Sequence, residues 1–182
     1  MKKNKGITMI SLVITIIILI IIAGISIGTG NNIIKQSDLE NIKTNMLLVK
    51  VKAKEYVENA NFNLGTAFDK VTDENEKNTR IAKAKAELKG EEITDVSMFN
   101  ENINISEEQL TADNSNYIYY YKLETQNLID MGLSNVKSDE KNGWYIIKYD
   151  IKNVGIEVYN TKGFENNETL YYSLNEIQNL NI

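Results

Sequence analysis

The chain of 182 residues contains no cysteine, no histidine and no proline. Without cysteine no disulfide can brace the fold, so stability must come from a packed core, which a chain this long can bury. Without Cys and His the chain also lacks the thiolate nucleophile, the commonest general base and the usual zinc ligands. Carboxylates, lysine and tyrosine could still do chemistry, so composition disfavours an enzyme and a non-catalytic role is expected. A basic excess is missing as well: 20 Lys and Arg stand against 25 Asp and Glu, for a net charge of -5 and a pI near 5.0. With no surplus of positive charge to neutralise phosphates, nucleic-acid contact is not expected. Finally, charge is absent from one long stretch, Ile7 to Ile27, although the mean hydropathy of the whole chain is -0.32. The remainder must be distinctly polar.

Recognisable ligand motifs are also absent. No Walker A sequence occurs, no G-x-G-x-x-G follows a strand pattern, and H-E-x-x-H is impossible without His. The acidic runs Asp73-Glu74-Asn75-Glu76 and Ser138-Asp139-Glu140 lack the spacing and turn glycine of an EF-hand. Asp139 and Glu140 are weak calcium candidates, and solvated loop acids are the simpler reading. No cofactor is expected.

What is present begins at the N-terminus. Lys2, Lys3 and Lys5 precede the uncharged stretch, and the first acid is Asp38. The positive-inside bias then places the N-terminus in the cytoplasm and the bulk of the chain outside, as a single-pass membrane protein. Ile7–Ile27 spans roughly 30 Å as a helix, the thickness of a bilayer core. Gly24 and Gly28 form a small-xxx-small pair that permits close helix approach. Helix is weakest from Gly28 to Asn32. Ser37 and Glu40 read as a capping box for a second helix. Its apolar stripe is Leu39, Ile42, Met46, Val49, Ala53, Tyr56 and Ala60, and Gly65 ends it.

Further on, Thr79–Leu88 predicts a short exposed helix stopped by Gly90, and residues 93–116 show no clear pattern beyond one turn at 106–110. Tyr117–Tyr121 predicts a strand whose alternate tyrosines pack while their hydroxyls reach water; an adhesive or sugar-binding face is the other reading. Leu123–Leu133 predicts a helix with Leu128 and Met131 inward and Gly132 as its stop. Strands are expected at Gly143–Tyr149 and Gly155–Tyr159, joined through Asp150–Val154, and at Leu170–Leu174. Ser173 or Asn175 would cap a last turn near Leu180. The expected fold class is α+β: a long N-terminal helix, part membrane-embedded and part amphipathic, on a small antiparallel sheet with short helices.

The segment Lys5-Gly6-Ile7-Thr8-Met9-Ile10-Ser11-Leu12-Val13-Ile14 resembles the prepilin signal of type IV pilins and type II secretion pseudopilins. The tail segments Lys162-Gly163-Phe164 and Leu170–Leu174 look like those of prepilin-type proteins of low-GC Gram-positive bacteria. The resemblance implies cleavage by a prepilin peptidase between Gly6 and Ile7, with Ile7 then N-methylated. It divides the chain into a leader, 1–6; a membrane and filament-core helix, 7–30; an amphipathic extension, 31–65; and an extracellular head, 66–182. It implies assembly into a homo- or hetero-oligomeric filament on a membrane platform, displayed at the cell surface, with Ser11, Gly24 and Gly28 at the assembly positions.

Physical logic agrees with the position of the cut. An ordinary signal peptide is cut after its apolar core. Here the small residue precedes the core, so cutting removes three lysines and leaves the whole apolar helix attached. One departure matters. The family usually has Glu at the fifth residue after the cut, where it neutralises a neighbour's terminal amine; here that residue is Ser11, a hydroxyl that cannot neutralise an ammonium. This points toward a minor or tip subunit. The alternatives are a plain signal anchor, a signal peptide cut after Gly28, or a single-pass surface protein with a binding head that never polymerises.

Overall fold

Residues Asn31–Leu64 form a single helix of 34 residues, α1. The structure, a computed structural model, describes residues 31–99 and 103–180. Gly6, Ile7, Ser11, Gly24, Gly28 and the stretch 7–30 lie outside the described residues. Leu39, Met46, Val49, Ala53, Val57, Ala60 and Leu64 recur every three, four or seven residues along α1, and each is at most 3% exposed. That stripe is what selects helix here, because most helical stability comes from burying an amphipathic face. Gly65, at φ 84°, ends α1 and donates its N–H to Asn61 O at 3.1 Å.

The expected cap at Ser37 is not one: the helix already runs at Asn31, and Ser37 is an exposed residue within it. Extending a helix fixes one residue per hydrogen bond, whereas starting a new one fixes several. Ser37 and Glu40 simply share the solvated face, where Glu40 lies 3.7 Å from Lys43.

After a short 3-10 turn at Phe68–Lys70, helix α2 spans Glu74–Glu87. It starts five residues before the predicted Thr79. Asp73 is the reason, its carboxylate accepting the N–H groups of Asn75 and Glu76 at 2.8 and 3.0 Å. Nor is α2 free-standing. Ala84 is fully buried, Asn63 donates to Glu87 at 2.9 Å, and Arg80 reaches Leu64 O at 3.4 Å. Ile81 and Ala84 give α2 a narrow apolar edge on the main core.

Five antiparallel strands follow in simple meander order. They are β1 (Glu91–Glu92), β2 (Ile118–Leu123), β3 (Tyr145–Asp150), β4 (Gly155–Asn166) and β5 (Thr169–Ser173). In register, Tyr121 faces Ile147 and Ile147 faces Val158. Period-two alternation splits the side chains. Tyr119, Tyr121, Leu123, Tyr145, Ile147 and Tyr149 join the α1 stripe in the main core. Tyr120 and Ile146 join a second core on the opposite face.

That second core is closed by the segment whose sequence shows no pattern. Ile93, Phe99, Ile103 and Leu110 cover the outer face of the sheet. The segment holds a 3-10 turn at Val96–Met98 and α3 (Glu107–Ser115), which carries Leu110 and has nine residues where one turn was expected. Ser106 caps α3, accepting Gln109 N–H at 3.2 Å. Helix α4 is Thr125–Asp130, shorter than predicted because Leu123 belongs to β2. Leu128 and Met131 point inward as expected. Strand β4 runs seven residues past the predicted Tyr159, through a register shift between Tyr159 and Phe164. Helix α5 (Leu174–Ile177) begins at a reciprocal cap between Ser173 and Glu176. The architecture is α+β: a long N-terminal helix and a five-stranded antiparallel sheet with short helices.

Candidate functional site

The bulge in β4 is built around Asn160. Its side-chain oxygen accepts the backbone N–H groups of Lys162 and Gly163 at 3.0 and 3.3 Å, and its amide donates to Asn142 O at 3.4 Å. These bonds satisfy an amide that is only 1% exposed. They also hold the register shift between Tyr159 and Phe164 at which β4 passes into its hairpin with β5. Facing it, Lys35, Asp38, Asn41, Ile42 and Asn45 fall three or four residues apart on one side of the first turns of α1. A third wall comes from the loop between α4 and β3.

That loop is held by Ser138, which is 1% exposed. Its hydroxyl donates to Leu123 O and accepts Tyr145 N–H at 2.9 Å, while its N–H donates to Thr125 Oγ1 at 3.0 Å. Together these three walls enclose an open groove of about 620 Å³. Tyr145 closes its floor, hydrogen-bonded to the side chains of Asn45 and Asn160; burial pushes its hydroxyl up to about 12, and those two bonds only partly offset the shift.

The groove is rich in amides: Asn41, Asn45, Asn135, Asn142 and Asn160. Lys35, Lys137 and Lys162 stand against Asp38 and Glu165, leaving one net positive charge. Phe164 and Leu170 add apolar surface at the hairpin, Leu170 being 47% exposed.

Asp139 and Glu140 sit beside this groove, on the loop. Asp139 is occupied by the turn, its Oδ1 accepting Asn142 N–H at 2.9 Å and the Asn142 amide at 2.7 Å. Those bonds hold its carboxyl below the usual carboxylate range. Glu140 is exposed. Among the described residues no three His, Cys, Asp or Glu side chains converge as a metal site. The other acidic run caps α2 through Asp73, as described above.

The tyrosine cluster is core on both faces of the sheet rather than an exposed face. Tyr119, Tyr120 and Tyr121 are at most 6% exposed. Their hydroxyls do not all reach water: Tyr120 donates to Asp113 at 2.6 Å and Tyr121 lies 3.5 Å from Glu92. Lys148 pairs with the same Asp113 at 3.1 Å, so α3 is fastened to the outer face by one carboxylate and two donors. Burial in the first place, and the adjacent Asp113 in the second, drive the Tyr120 hydroxyl far above its ordinary value.

Among the described residues no helix is long and apolar enough to cross a membrane. The groove could not be found from sequence, because its walls come from three separate parts of the chain. Comparisons with family models, curated proteins and solved structures find no match to this chain.

Proposed function

We propose that this chain is a structural subunit, minor or at the tip, of a filament of the type IV pilus or type II secretion kind, without catalytic activity. One observation carries the reading. A 34-residue helix, buried along one stripe against an antiparallel sheet, follows three residues after the 21-residue uncharged run Ile7–Ile27, which Lys5-Gly6 precedes. A peptidase cut between Gly6 and Ile7 leaves a head that stays anchored by one apolar helix, stripped of the lysines that fixed its end in the cytoplasm. Such a helix leaves the bilayer only where other apolar helices replace lipid, and a bundle of like subunits supplies them. The non-polymerising surface protein draws its support from Ser11, the missing acid at the assembly position.

The test is the N-terminus of the mature protein, read by mass spectrometry from cells and from sheared surface filaments. A peptide beginning at methylated Ile7 in both samples is the expected result. Gly6→Arg should leave uncut precursor in the membrane, since a long side chain obstructs close approach to the backbone. An intact Met1 in the native protein refutes processing; a methylated Ile7 in cells but not in filaments favours the non-polymerising reading.

A further inference from the structure

We propose that the groove between α1, the loop before β3 and the β4–β5 hairpin binds a short acidic oligosaccharide. This goes beyond the filament reading and stands whether or not the chain polymerises.

Sugar hydroxyls donate and accept at once, and so do primary amides; Asn45, Asn142 and Asn160 are hydrogen-bonded within the protein, while Asn41 and Asn135 are exposed to a ligand. At about 620 Å³ the groove falls within the range of small-ligand clefts, with room for about two or three sugar rings. Its floor is already ordered: Tyr145 and Asn160 are 3% and 1% exposed and hydrogen-bonded to each other, so little is immobilised on binding. Leu170 at the lip offers an apolar patch to the C–H face of a ring.

The charge pattern narrows the class. Lys35, Lys162 and Glu165 form no ion pair among the described residues, so these charges are available to a ligand. A site for free phosphate or a lipid headgroup gathers donors alone. Here Asp38 and Glu165 are interleaved with the lysines, which suits a ligand whose carboxylates alternate with many hydroxyls.

The full-length protein in detergent micelles is titrated with trigalacturonate, and with maltotriose as the neutral comparison, by isothermal calorimetry. Saturable binding of trigalacturonate with Kd on the order of 1 mM is expected, weaker for maltotriose. Lys162→Gln should weaken the acidic sugar about threefold and Glu165→Gln should tighten it about threefold, with maltotriose indifferent to both. Both side chains are exposed, and thermal melts of the two variants check that folding is intact. Asn41→Ala should weaken both sugars. Gly6→Arg precursor should bind like wild type, which separates this proposal from the processing reading.

No saturation up to ~10 mM overturns the proposal. So does binding that ignores all three groove variants. If vesicles with anionic phospholipid bind through these residues and trigalacturonate does not, the groove takes a headgroup instead. Occlusion of the groove by concentration-dependent self-association, seen by sedimentation, assigns it to a second copy and equally ends the proposal.

Discussion

Gly143 and Gly132 have almost the same backbone conformation, φ +81° and +79°, in very different surroundings. Alanine at either position takes on the strain of the left-handed region, about 1–2 kcal/mol. At Gly132 the added Cβ would meet only the Lys52 ammonium end, at 3.8 and 4.0 Å, which is ordinary contact. At Gly143 it would lie 2.4 Å from Asn160 Oδ1 and 2.7 Å from the Lys162 Cβ and backbone N. One of those neighbours is backbone and another is the amide that holds the β4 bulge, so neither yields easily. Overpacking of that kind adds roughly 1–3 kcal/mol. Gly143→Ala should therefore lose about 2–5 kcal/mol and Gly132→Ala about 1–2, the difference being the steric part alone. Urea unfolding of a fragment covering residues 31–182, followed by tryptophan fluorescence from Trp144, gives both numbers. Equal losses within ~0.5 kcal/mol would show that β3 and β4 can part at this point without penalty, and the rigid bulge inferred for the groove would be wrong.

Met46 is fully buried on α1, so Met46→Asp should destabilise the same fragment by several kcal/mol through an unpaired buried charge; an unchanged melt would mean the stripe does not face the core. Ser11→Glu distinguishes two roles when the chain is counted per unit length of filament: a body subunit incorporates better because the acid pairs with a neighbour's amine, a tip subunit incorporates worse, and no change means Ser11 makes no subunit contact. Burial alone would raise the Glu176 carboxyl, but hydrogen bonds from Ser173 and Tyr172 outweigh it and hold it below the ordinary value. A depressed folded pKa gives stability that is present above the unfolded pKa and lost as pH falls through the folded one. Wild type should thus lose stability below about pH 4.5, and Glu176→Gln should lose less over that window while starting lower at neutral pH; parallel pH profiles would refute the linkage.

Strands β2, β3 and β5 were legible because each is a run of tyrosine, isoleucine or leucine between turn signals. The α1 stripe was legible for the same kind of reason, its period being set by geometry. Strand β1 was not: two glutamates have no strand propensity, and they pair only because Tyr121 and Lys122 lie alongside. The cover of the outer face was hidden too. Ile93, Phe99, Ile103 and Leu110 are separated by six, four and seven residues; four and seven are helical spacings, but the set as a whole keeps no single period. The start of α2 could have been read, since Asp73 ahead of Glu76 is a cap signal, but a run of acids draws attention as a ligand set first. The groove depends on Asn160 making a bulge, a tertiary event with no local signature. Likewise Ser138 looks like a loop residue in sequence and is an anchor in the structure.

The Lys43 ammonium bonds Leu180 O at 3.0 Å across 137 residues, and α5 closes over the same helix with Ile177 fully buried. Helix α1 leaves the ribosome before every surface that covers it, and β4 and α5 leave last among them. Until β4 and α5 exist, the stripe from Leu39 to Leu64 has only part of its cover, from α2, β2 and β3. A chain halted at residue 150 would leave part of that stripe open to whatever is near, a chaperone, a protease or the face of a bilayer. Residues 151–180 therefore complete the cover of α1, and a chain that lacks them leaves part of its longest helix bare.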